Sequence, residues 1–224
     1  NQPKGSGREY FILSKGHTGV VLYAILASIG FLKKEQLLKM NQEGLLGEHP
    51  DSRIPGVEID SGSLGHGLGI AAGLALSNRM DRKENQTVVL LGDGECYEGS
   101  TWESALFAAH MELNNLFAIV DRNGQIVNDF TENVNRLEPL ADKWSAFGWD
   151  VREINGHDFI DILKAFHDFR IRKAKKPVLI LANTVKGKGV SFMEGKLEWH
   201  HGGIGGDNYK LARQEILNQL AECH

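Results

Sequence analysis

The stretch VVLLGDGECYEGSTWESA (residues 88–105) decides the fold, because it contains the end of a strand, an acid between two glycines and the start of a helix. A run of Val and Leu leads directly into the Gly-Asp-Gly triplet at 92–94, and apolar residues spaced three and four apart begin after Glu98. A lone Gly-Asp-Gly triplet is most often a plain turn. Behind a buried strand, however, it offers one carboxylate where a bare backbone can approach a phosphate.

The next strand-like run supplies a second side chain with an oxygen ligand. The sequence LFAIVDRNG (residues 116–124) places Asn123 thirty positions after Asp93, which is about the length of one strand–helix–strand unit. Neighbouring parallel strands would bring both side chains to the same sheet edge. Asp, Asn, a backbone carbonyl and two phosphate oxygens make a shell suited to Mg²⁺. The pattern predicts a diphosphate–Mg²⁺ site, with Asp93 as an exposed loop carboxylate that contributes little to the core.

Strands and helices alternate along the rest of the chain. Short runs rich in Val, Ile and Leu predict strands at 87–91, 116–121, 149–154 and 177–184. Apolar spacings of three and four predict helices within 20–32, 62–80, 98–113, 158–170 and 209–220. Asp158 is the expected N-cap of its helix. This alternation predicts an α/β fold, a doubly wound and mostly parallel sheet with helices on both faces, in one domain over residues 1–224.

The composition excludes several classes of protein. The chain has 224 residues with a formal net charge of −4, which gives no electrostatic reason to bind nucleic acid or an anionic membrane. Its longest apolar stretch, residues 20–32, is too short to span a bilayer and predicts a buried core helix. Cys96 and Cys223 cannot form a disulfide framework, so we expect a reducing, cytoplasmic location. Cys96 is interpreted as a small buried filler.

Six motifs in one order resemble the diphosphate-binding domain of the transketolase family, and especially the separate N-terminal subunit of split transketolases. They are LSKGH (13–17), GEHP (47–50), PGVEIDSGSLGHGLG (55–69), LLGDGECYEG (90–99), DRNG (121–124) and TVKGKGVSFME (184–194). The resemblance implies the thiamine diphosphate-binding fold, with thiamine diphosphate and Mg²⁺ as cofactors. It also implies transfer of a two-carbon ketol unit from a ketose, expected to be phosphorylated, to an aldose.

The resemblance implies roles for single positions around the metal and the diphosphate. Asp93 and Asn123 match the Mg²⁺ ligands of the family, and the backbone carbonyl of Gln125 is the expected third ligand from the protein. His17 and Gly94 match positions that contact the diphosphate. Asn123 is thereby a cofactor contact as well as a metal ligand. A solitary histidine such as His17 would more often cap or pack a helix, and it is the order of the motifs that favours the functional role.

Further positions match the rest of the cofactor and the subunit interface. Gly62 and Leu64 match the turn that meets the aminopyrimidine ring. Glu98 matches a cofactor-linked carboxylate at the interface, joined to the cofactor-activating glutamate of the partner, and Glu103 matches another interface acid. Taken alone, Glu98 could be no more than an acid favoured by a helix N-terminus. We include Glu98 and His17 among the catalytic candidates.

Three histidines complete the candidate catalytic set. His49 matches a histidine that reaches the donor sugar, although in isolation it could belong to a plain surface loop. The histidine expected after TVKGKGVSFME is either His200 or His201, and the sequence WHHGG leaves both open. Both are catalytic candidates, and His201 is also a candidate cofactor contact. One departure is His66, which stands where the family has glutamine and leaves donor specificity open.

The resemblance also predicts a partner. The motifs occur once in 224 residues, so the cofactor is expected between this chain and a separate, C-terminal pyrimidine-binding transketolase subunit, in an α₂β₂ assembly. A family segment with Ser-Gly-His-Pro is expected to be lost or dispensable. Two alternatives are the alpha subunit of a 2-oxo-acid dehydrogenase, which shares Gly-Asp-Gly and the later Asn, and a catalytically degenerate regulatory subunit. LSKGH, GEHP and KGKG point away from the dehydrogenase.

Overall fold

A parallel sheet of five strands, in the order β1-β2-β3-β7-β6, lies at the centre of the molecule. The structure is a computed structural model, and it describes residues 7–42 and 46–222. The strands, including a short antiparallel pair that follows β3, are β1 (Tyr10–Leu13), β2 (Thr87–Gly92), β3 (Leu116–Arg122), β4 (Gln125–Ile126), β5 (Asp129–Phe130), β6 (Asp150–Asn155) and β7 (Val178–Asn183).

Every strand predicted from the sequence is present, and no end differs by more than one residue. β1 and the β4–β5 pair were not predicted, because they are too short to show a periodicity. β1 lies at the sheet edge and pairs in parallel with β2, Tyr10 opposite Thr87. β2 in turn pairs in parallel with β3, Gly92 opposite Asp121. This pairing confirms that the segments carrying Asp93 and Asn123 leave adjacent strands.

Helices connect the strands and confirm the alternation. They are α1 (Gly19–Ser28), α2 (Lys34–Leu37), α3 (Gly67–Met80), α4 (Gly99–His110), α5 (Thr131–Val134), α6 (Leu140–Ala146), α7 (Phe159–Ile171) and α8 (Gly206–Glu222). Asp158 caps α7 as predicted, because its Oδ1 accepts a hydrogen bond from the backbone N–H of Ile160 at 2.7 Å. Short 3₁₀ turns occur at Gly16–Thr18, Gly94–Tyr97 and Leu197–Trp199.

Alternate side chains of the buried strands pack on opposite faces of the sheet. Leu179 and Leu181 of β7 belong to a core shared with α3 and α4, whereas Val178 and Ile180 pack with Phe169 of α7. Period-two alternation into two apolar layers is the mark of a sheet covered on both faces. The predicted doubly wound α/β architecture is confirmed.

The expected core helix at 20–32 is shorter and less buried than predicted. α1 ends at Ser28 and is followed by Gly30 in the left-handed region, with φ of 86°. Only one side of α1 is buried. The other side, which we call the outer face of α1, consists of Val20, Val21, Ile25 and Ile29, each 51–59% exposed. Within residues 7–42 and 46–222, no helix has both the length and the apolar character needed to cross a membrane.

Candidate functional site

A cleft of about 910 Å³ opens at the carboxyl ends of β1, β2, β3 and β7. Its volume is in the range typical of small-molecule sites. Many of the predicted site residues line it, namely His17, Gly62, Leu64, Asp93, Gly94, Asn123, Gln125 and His200. Residues as far apart in the chain as His17 and His200 therefore meet in one place, as the rule for open parallel sheets requires.

Asp93 lies at the floor of the cleft, directly after β2. Its Oδ1 accepts a hydrogen bond from the backbone N–H of Gly94 at 2.8 Å, and its Oδ2 accepts one from Gly124 at 2.6 Å. The residue is only 2% exposed, so the expectation of an exposed loop carboxylate was wrong. The turn after β3 folds back over Asp93 and covers it. Burial raises the pKa of Asp93 above its ordinary value, against the two hydrogen bonds.

Asn123 and Gln125 lie in this same turn. The Asn123 Oδ1 accepts a hydrogen bond from the backbone N–H of Gln125 at 3.1 Å. The Gln125 amide donates from Nε2 to the carbonyl of Gly195 at 2.7 Å. Its buried Oε1 has no hydrogen-bond partner among the described residues, which indicates a polar group still to be received there.

The donor set fits Mg²⁺ only together with an anionic ligand. Across residues 7–42 and 46–222, no group of three or more His, Cys, Asp or Glu side chains could hold a metal ion. Asp93, Asn123 and the Gln125 carbonyl supply one carboxylate, one amide and one backbone oxygen. Each Asp93 oxygen retains a lone pair beyond its present hydrogen bond. Mg²⁺ characteristically takes few protein ligands and completes its shell with phosphate oxygens and water.

Two lysines bring positive charge into the cleft. Lys15, at the end of β1, donates to Oδ2 of Asp121 at 2.5 Å, and the Thr184 hydroxyl donates to Oδ1. Burial alone would raise the pKa of Asp121, but the charge and hydrogen bond of Lys15 lower it below the ordinary value. Lys186 lies with its Nζ 2.5 Å from Nδ1 of His200. Burial and the charge of Lys15 lower the pKa of Lys186. Such a set of cations suits a diphosphate.

His17 and His200 stack at 5.7 Å between ring centroids. Partial burial of the ring, followed by the charges of Lys15, His200 and Lys186, lowers the pKa of His17 from 6.5 to about 4. Burial and the charge of Lys186 lower the pKa of His200 as well. His201 lies away from the lining of the cleft, 3.9 Å from Glu48 and largely exposed. Of the two histidines left open by the sequence, the structure brings His200 into the cleft.

The remaining candidates surround the turn at 62–65, which borders the cleft. The His49 ring packs on this turn, since a Cβ atom built on Gly62 would lie 3.4 Å from its Cδ2. Gly65 has a φ of +85°, and a Cβ atom there would lie 2.6 Å from Cβ of Glu98. Glu98 is exposed just before α4, and Glu103 is exposed one turn later. Neither His49, Glu98 nor Glu103 lines the cleft itself.

Similarity to known proteins identifies the family of this chain. The chain matches the family model described as "Transketolase, thiamine diphosphate binding domain" over residues 1–219. The chain belongs to the transketolase family. This membership confirms the resemblance, and it favours a transketolase over the 2-oxo-acid dehydrogenase alternative.

Cys223 lies outside the residues that the structure describes. Cys96 is a free, buried thiol whose pKa is raised by burial, as expected of a filler.

Transketolase relatives cover nearly all of this chain. An apulose-4-phosphate transketolase subunit of Phocaeicola vulgatus is 41% identical over 221 residues, which is 98% of this chain and 78% of the relative. The 6-deoxy-6-sulfo-D-fructose transketolase subunit SqwG of a Clostridium species is 42% identical over 223 residues, 99% of this chain and 81% of the relative. Both relatives are named as subunits.

Solved transketolases share the fold. The transketolase from Campylobacter jejuni has a TM-score of 0.90 at 29% identity and covers 96% of this chain. The match takes up 36% of that structure, so this chain spans about a third of its length. The α/β fold of the transketolase family is therefore established for this chain.

Sequence reasoning did not assign several residues of this transketolase-family site. Lys15, Asp121, Glu95 and His157 all line the cleft. Lys15 lies inside the LSKGH motif, and Asp121 and His157 come at or just after the ends of strands, so the rule of carboxyl ends could have identified them. Lys186 also lines the cleft. The pairing of Lys186 with His200 depends on the path of the loop after β7, which no local pattern encodes.

Because the pKa of His17 is low, we expect the stability of the folded chain to depend on pH. The unfolded chain binds a proton on His17 below about 6.5 and the folded chain only below about 4, so the free energy of unfolding should fall as pH falls through this window. Replacement by Asn should remove this contribution. Denaturant unfolding of wild type and His17→Asn from pH 7.5 to 4 measures it, and the difference in stability should change across that range. A constant difference would contradict the low pKa.

Proposed function

We propose that this chain binds thiamine diphosphate through Mg²⁺ and, with a separate pyrimidine-binding subunit, transfers a two-carbon ketol unit from a phosphorylated ketose to an aldose. One observation carries the proposal: Asp93 and the Asn123 turn meet at the ends of adjacent parallel strands, in a cleft that also holds Lys15 and Lys186. An acid and an amide for a hard cation, beside lysines for an anion, suit a metal-bound diphosphate.

Different residues of the cleft would bind different parts of the cofactor. Asp93, Asn123 and the Gln125 carbonyl would hold Mg²⁺. Lys15 and Lys186 would offset the remaining charge of the diphosphate. Gly94 lies beside the proposed metal site, and without a side chain its backbone can come close to the diphosphate. A Cβ atom on Gly94 would lie 3.3 Å from the Ile126 side chain. The turn with Gly62 and Leu64 would receive the aminopyrimidine ring.

The two stacked histidines would handle protons of the sugar. When bound, thiamine diphosphate would supply the nucleophilic carbon and the electron sink that ketol transfer requires. A lysine ammonium can only donate, so Lys186 donates to Nδ1 of His200 and leaves the proton of the neutral imidazole on Nε2. His200 therefore offers a donor to a substrate oxygen. His17, neutral at pH 7, offers an acceptor or a donor.

The partner subunit would cover the mouth of the cleft. Val21 belongs to the outer face of α1 and also lines the cleft, so an exposed apolar surface runs up to the proposed cofactor. Contiguous exposed apolar surface of this kind marks protein–protein contacts. Glu98, Glu103 and the turn at 62–65 would face the same partner. We propose an α₂β₂ assembly with two-fold symmetry, in the cytoplasm, where the buried thiol of Cys96 stays reduced.

The names of two relatives support the choice of donor. Apulose-4-phosphate and 6-deoxy-6-sulfo-D-fructose are both ketoses that carry an anionic group at the end away from the ketone. The phosphorylated ketose that we propose for this chain belongs to the same class of anionic ketoses.

Calorimetry tests the cofactor assignment. The chain mixed with its pyrimidine-binding subunit should bind thiamine diphosphate in the presence of Mg²⁺ and lose most of that affinity in EDTA. The physical reason is that the diphosphate charge needs the cation. Binding of equal strength with and without metal, or no binding at all, would contradict the proposal.

His49 should act on the substrate and leave the cofactor alone. His49→Ala should lower kcat/KM for the donor by about ten- to a hundredfold, the effect of losing one hydrogen bond to a charged or reacting group. Cofactor affinity should change little, because the His49 ring lies beside the turn at Gly62 and is not among the residues assigned to the metal or the diphosphate. Steady-state kinetics with varied donor measures this. Unaltered donor kcat and KM would place His49 in a plain surface loop.

A further inference from the structure

Glu95 is a buried carboxylate with no role in the site as described so far. It is 1% exposed and lies in the 3₁₀ turn after Asp93. Its Oε1 accepts hydrogen bonds from the Ser14 hydroxyl and from the backbone N–H of Gly65, the latter at 2.9 Å. Its Oε2 accepts from the backbone N–H of Gly92 at 3.3 Å. One carboxylate thereby joins three segments that are distant in the chain.

Ser14 extends the same connection. While its hydroxyl donates to Glu95, its Oγ accepts a hydrogen bond from the backbone N–H of Gly67 at 3.1 Å. We call the pair Glu95 and Ser14 the Glu95 clamp. It holds the turn at 62–67 at two points, through Gly65 and Gly67, against the carboxyl ends of β1 and β2.

Glycines let the turn approach the clamp closely. A Cβ atom on Gly67 would lie 2.2 Å from the Ser14 Oγ. That separation is far below van der Waals contact. Any side chain there would push the turn away from Ser14, so the short distance from turn to clamp depends on the bare backbone.

The clamped segments are the ones assigned to the two halves of the cofactor. Ser14 precedes Lys15 and His17, and Gly92 precedes Asp93, all on the diphosphate side of the cleft. Gly65 and Gly67 follow directly on the turn with Gly62 and Leu64, on the aminopyrimidine side. We propose that Glu95 is a positioning residue, which fixes the aminopyrimidine turn relative to the diphosphate site. This inference rests on the proposed function.

Two substitutions of Glu95 distinguish the effect of its hydrogen bonds from the effect of its charge. Glu95→Met keeps the length of the side chain but removes both acceptors, leaving the Gly65 N–H buried without a partner. Glu95→Gln keeps one oxygen, which can take the place of Oε1 and accept from both Ser14 and Gly65, and it gives up only the long 3.3 Å hydrogen bond from the N–H of Gly92. If Glu95 acts as a clamp, Gln should rescue what Met loses. Glu84→Met, in an exposed loop, is the matched control.

The affinities for two ligands test the two sides of the cleft separately. In the complex with the partner subunit, Glu95→Met should weaken Mg²⁺–thiamine diphosphate binding about ten- to a hundredfold, the effect of losing hydrogen bonds to a charged acceptor. Binding of Mg²⁺–pyrophosphate, which uses the diphosphate side alone, should remain close to wild type. Glu95→Gln and Glu84→Met should keep wild-type affinity for both. Equal loss of both ligands in Glu95→Met, unchanged thiamine diphosphate affinity in it, or a Gln variant as weak as Met would overturn the inference.

Amide hydrogen exchange tests the clamp without any cofactor. In the cofactor-free full chain, the amides of Gly65 and Gly67 should exchange at least about tenfold faster in Glu95→Met than in wild type, while those of β7 do not change. Ser14→Ala serves if the Met variant does not fold, and should expose Gly67 alone. Unchanged exchange at both glycines would overturn the inference. Failure of the wild-type complex to bind thiamine diphosphate would instead refute the proposed function, and it would leave this exchange result standing.

Discussion

Asp93→Asn is expected to weaken Mg²⁺-dependent binding of thiamine diphosphate by at least about a hundredfold, since charge-assisted contacts of this kind are worth several kcal/mol. Asp93 is the sole carboxylate in the proposed ligand set, so the amide leaves Mg²⁺ with no charged ligand from the protein. Asn has the size of Asp and can keep one of the hydrogen bonds to Gly94 and Gly124. The loss of affinity should therefore exceed the loss of stability.

Asp93→Ala should behave differently from Asn. It leaves the buried N–H groups of Gly94 and Gly124 without an acceptor, at a cost of about 1–3 kcal/mol for each unsatisfied group. We expect it to lose cofactor binding and also to unfold at lower denaturant. Titration calorimetry of the complex, with denaturant unfolding of the chain, separates the two effects. Asp142→Asn, on the exposed side of α6, is the control. Unchanged cofactor affinity in Asp93→Asn would refute the metal assignment.

The second large effect is expected from the partner. Assayed alone with Mg²⁺ and cofactor, this chain should show at least about a hundredfold less ketol transfer than after mixing with the pyrimidine-binding subunit, the usual weight of one acid–base group. In the transketolase family, the glutamate that activates the aminopyrimidine ring comes from that second domain. This chain offers an open cleft and an uncovered apolar face beside it. Full activity of the lone chain would refute the split-enzyme proposal.

The outer face of α1 allows a sharper form of the mixing experiment. Ile25→Glu places a charge on this face, where Ile25 is 51% exposed, and should weaken assembly and therefore activity on mixing. Leu163→Glu places the same charge on α7, where Leu163 is 67% exposed. α7 contributes no residue to the lining of the cleft, whereas α1 contributes Val21, so the Leu163 variant should assemble normally. Equal effects of both charges would mean that α1 is not the surface that meets the partner.

The meeting of Asp93 with the turn that carries Asn123 could be predicted from sequence, because it depends on one general rule. The composition of a buried strand identifies it in the sequence. The residues that follow two neighbouring parallel strands lie at the same sheet edge, so the sequence alone was enough to pair Asp93 with Asn123. The burial of Asp93 could not be predicted in the same way. It arises because the turn after β3 reverses and brings the N–H of Gly124 onto the carboxylate. Reversal of a loop is decided by several weak, distant contacts together.

The choice between His200 and His201 also could not be predicted from the sequence. His200 and His201 are neighbours in sequence and identical in chemistry, so only the path of the segment after β7 decides which one faces His17. That path is held by contacts such as the one between Gln125 and Gly195. The degree of burial of α1 also could not be read locally, because a helix that is apolar all round carries no sign of which side its own domain covers.

The edge position of β1 has a consequence for how the molecule reaches its native state. Tyr10 pairs with Thr87, so this strand can be added only after the long intervening segment has been closed into a loop, whereas β2 and β3 are joined through α4 alone. The entropy of closing a loop rises with its length, and contacts between distant residues slow folding. We therefore expect β2, β3 and α4 to form early and β1 to dock late. Because Ser14, Lys15 and His17 arrive with β1, the folding chain would bring its proposed metal ligands together before the proposed diphosphate site is complete.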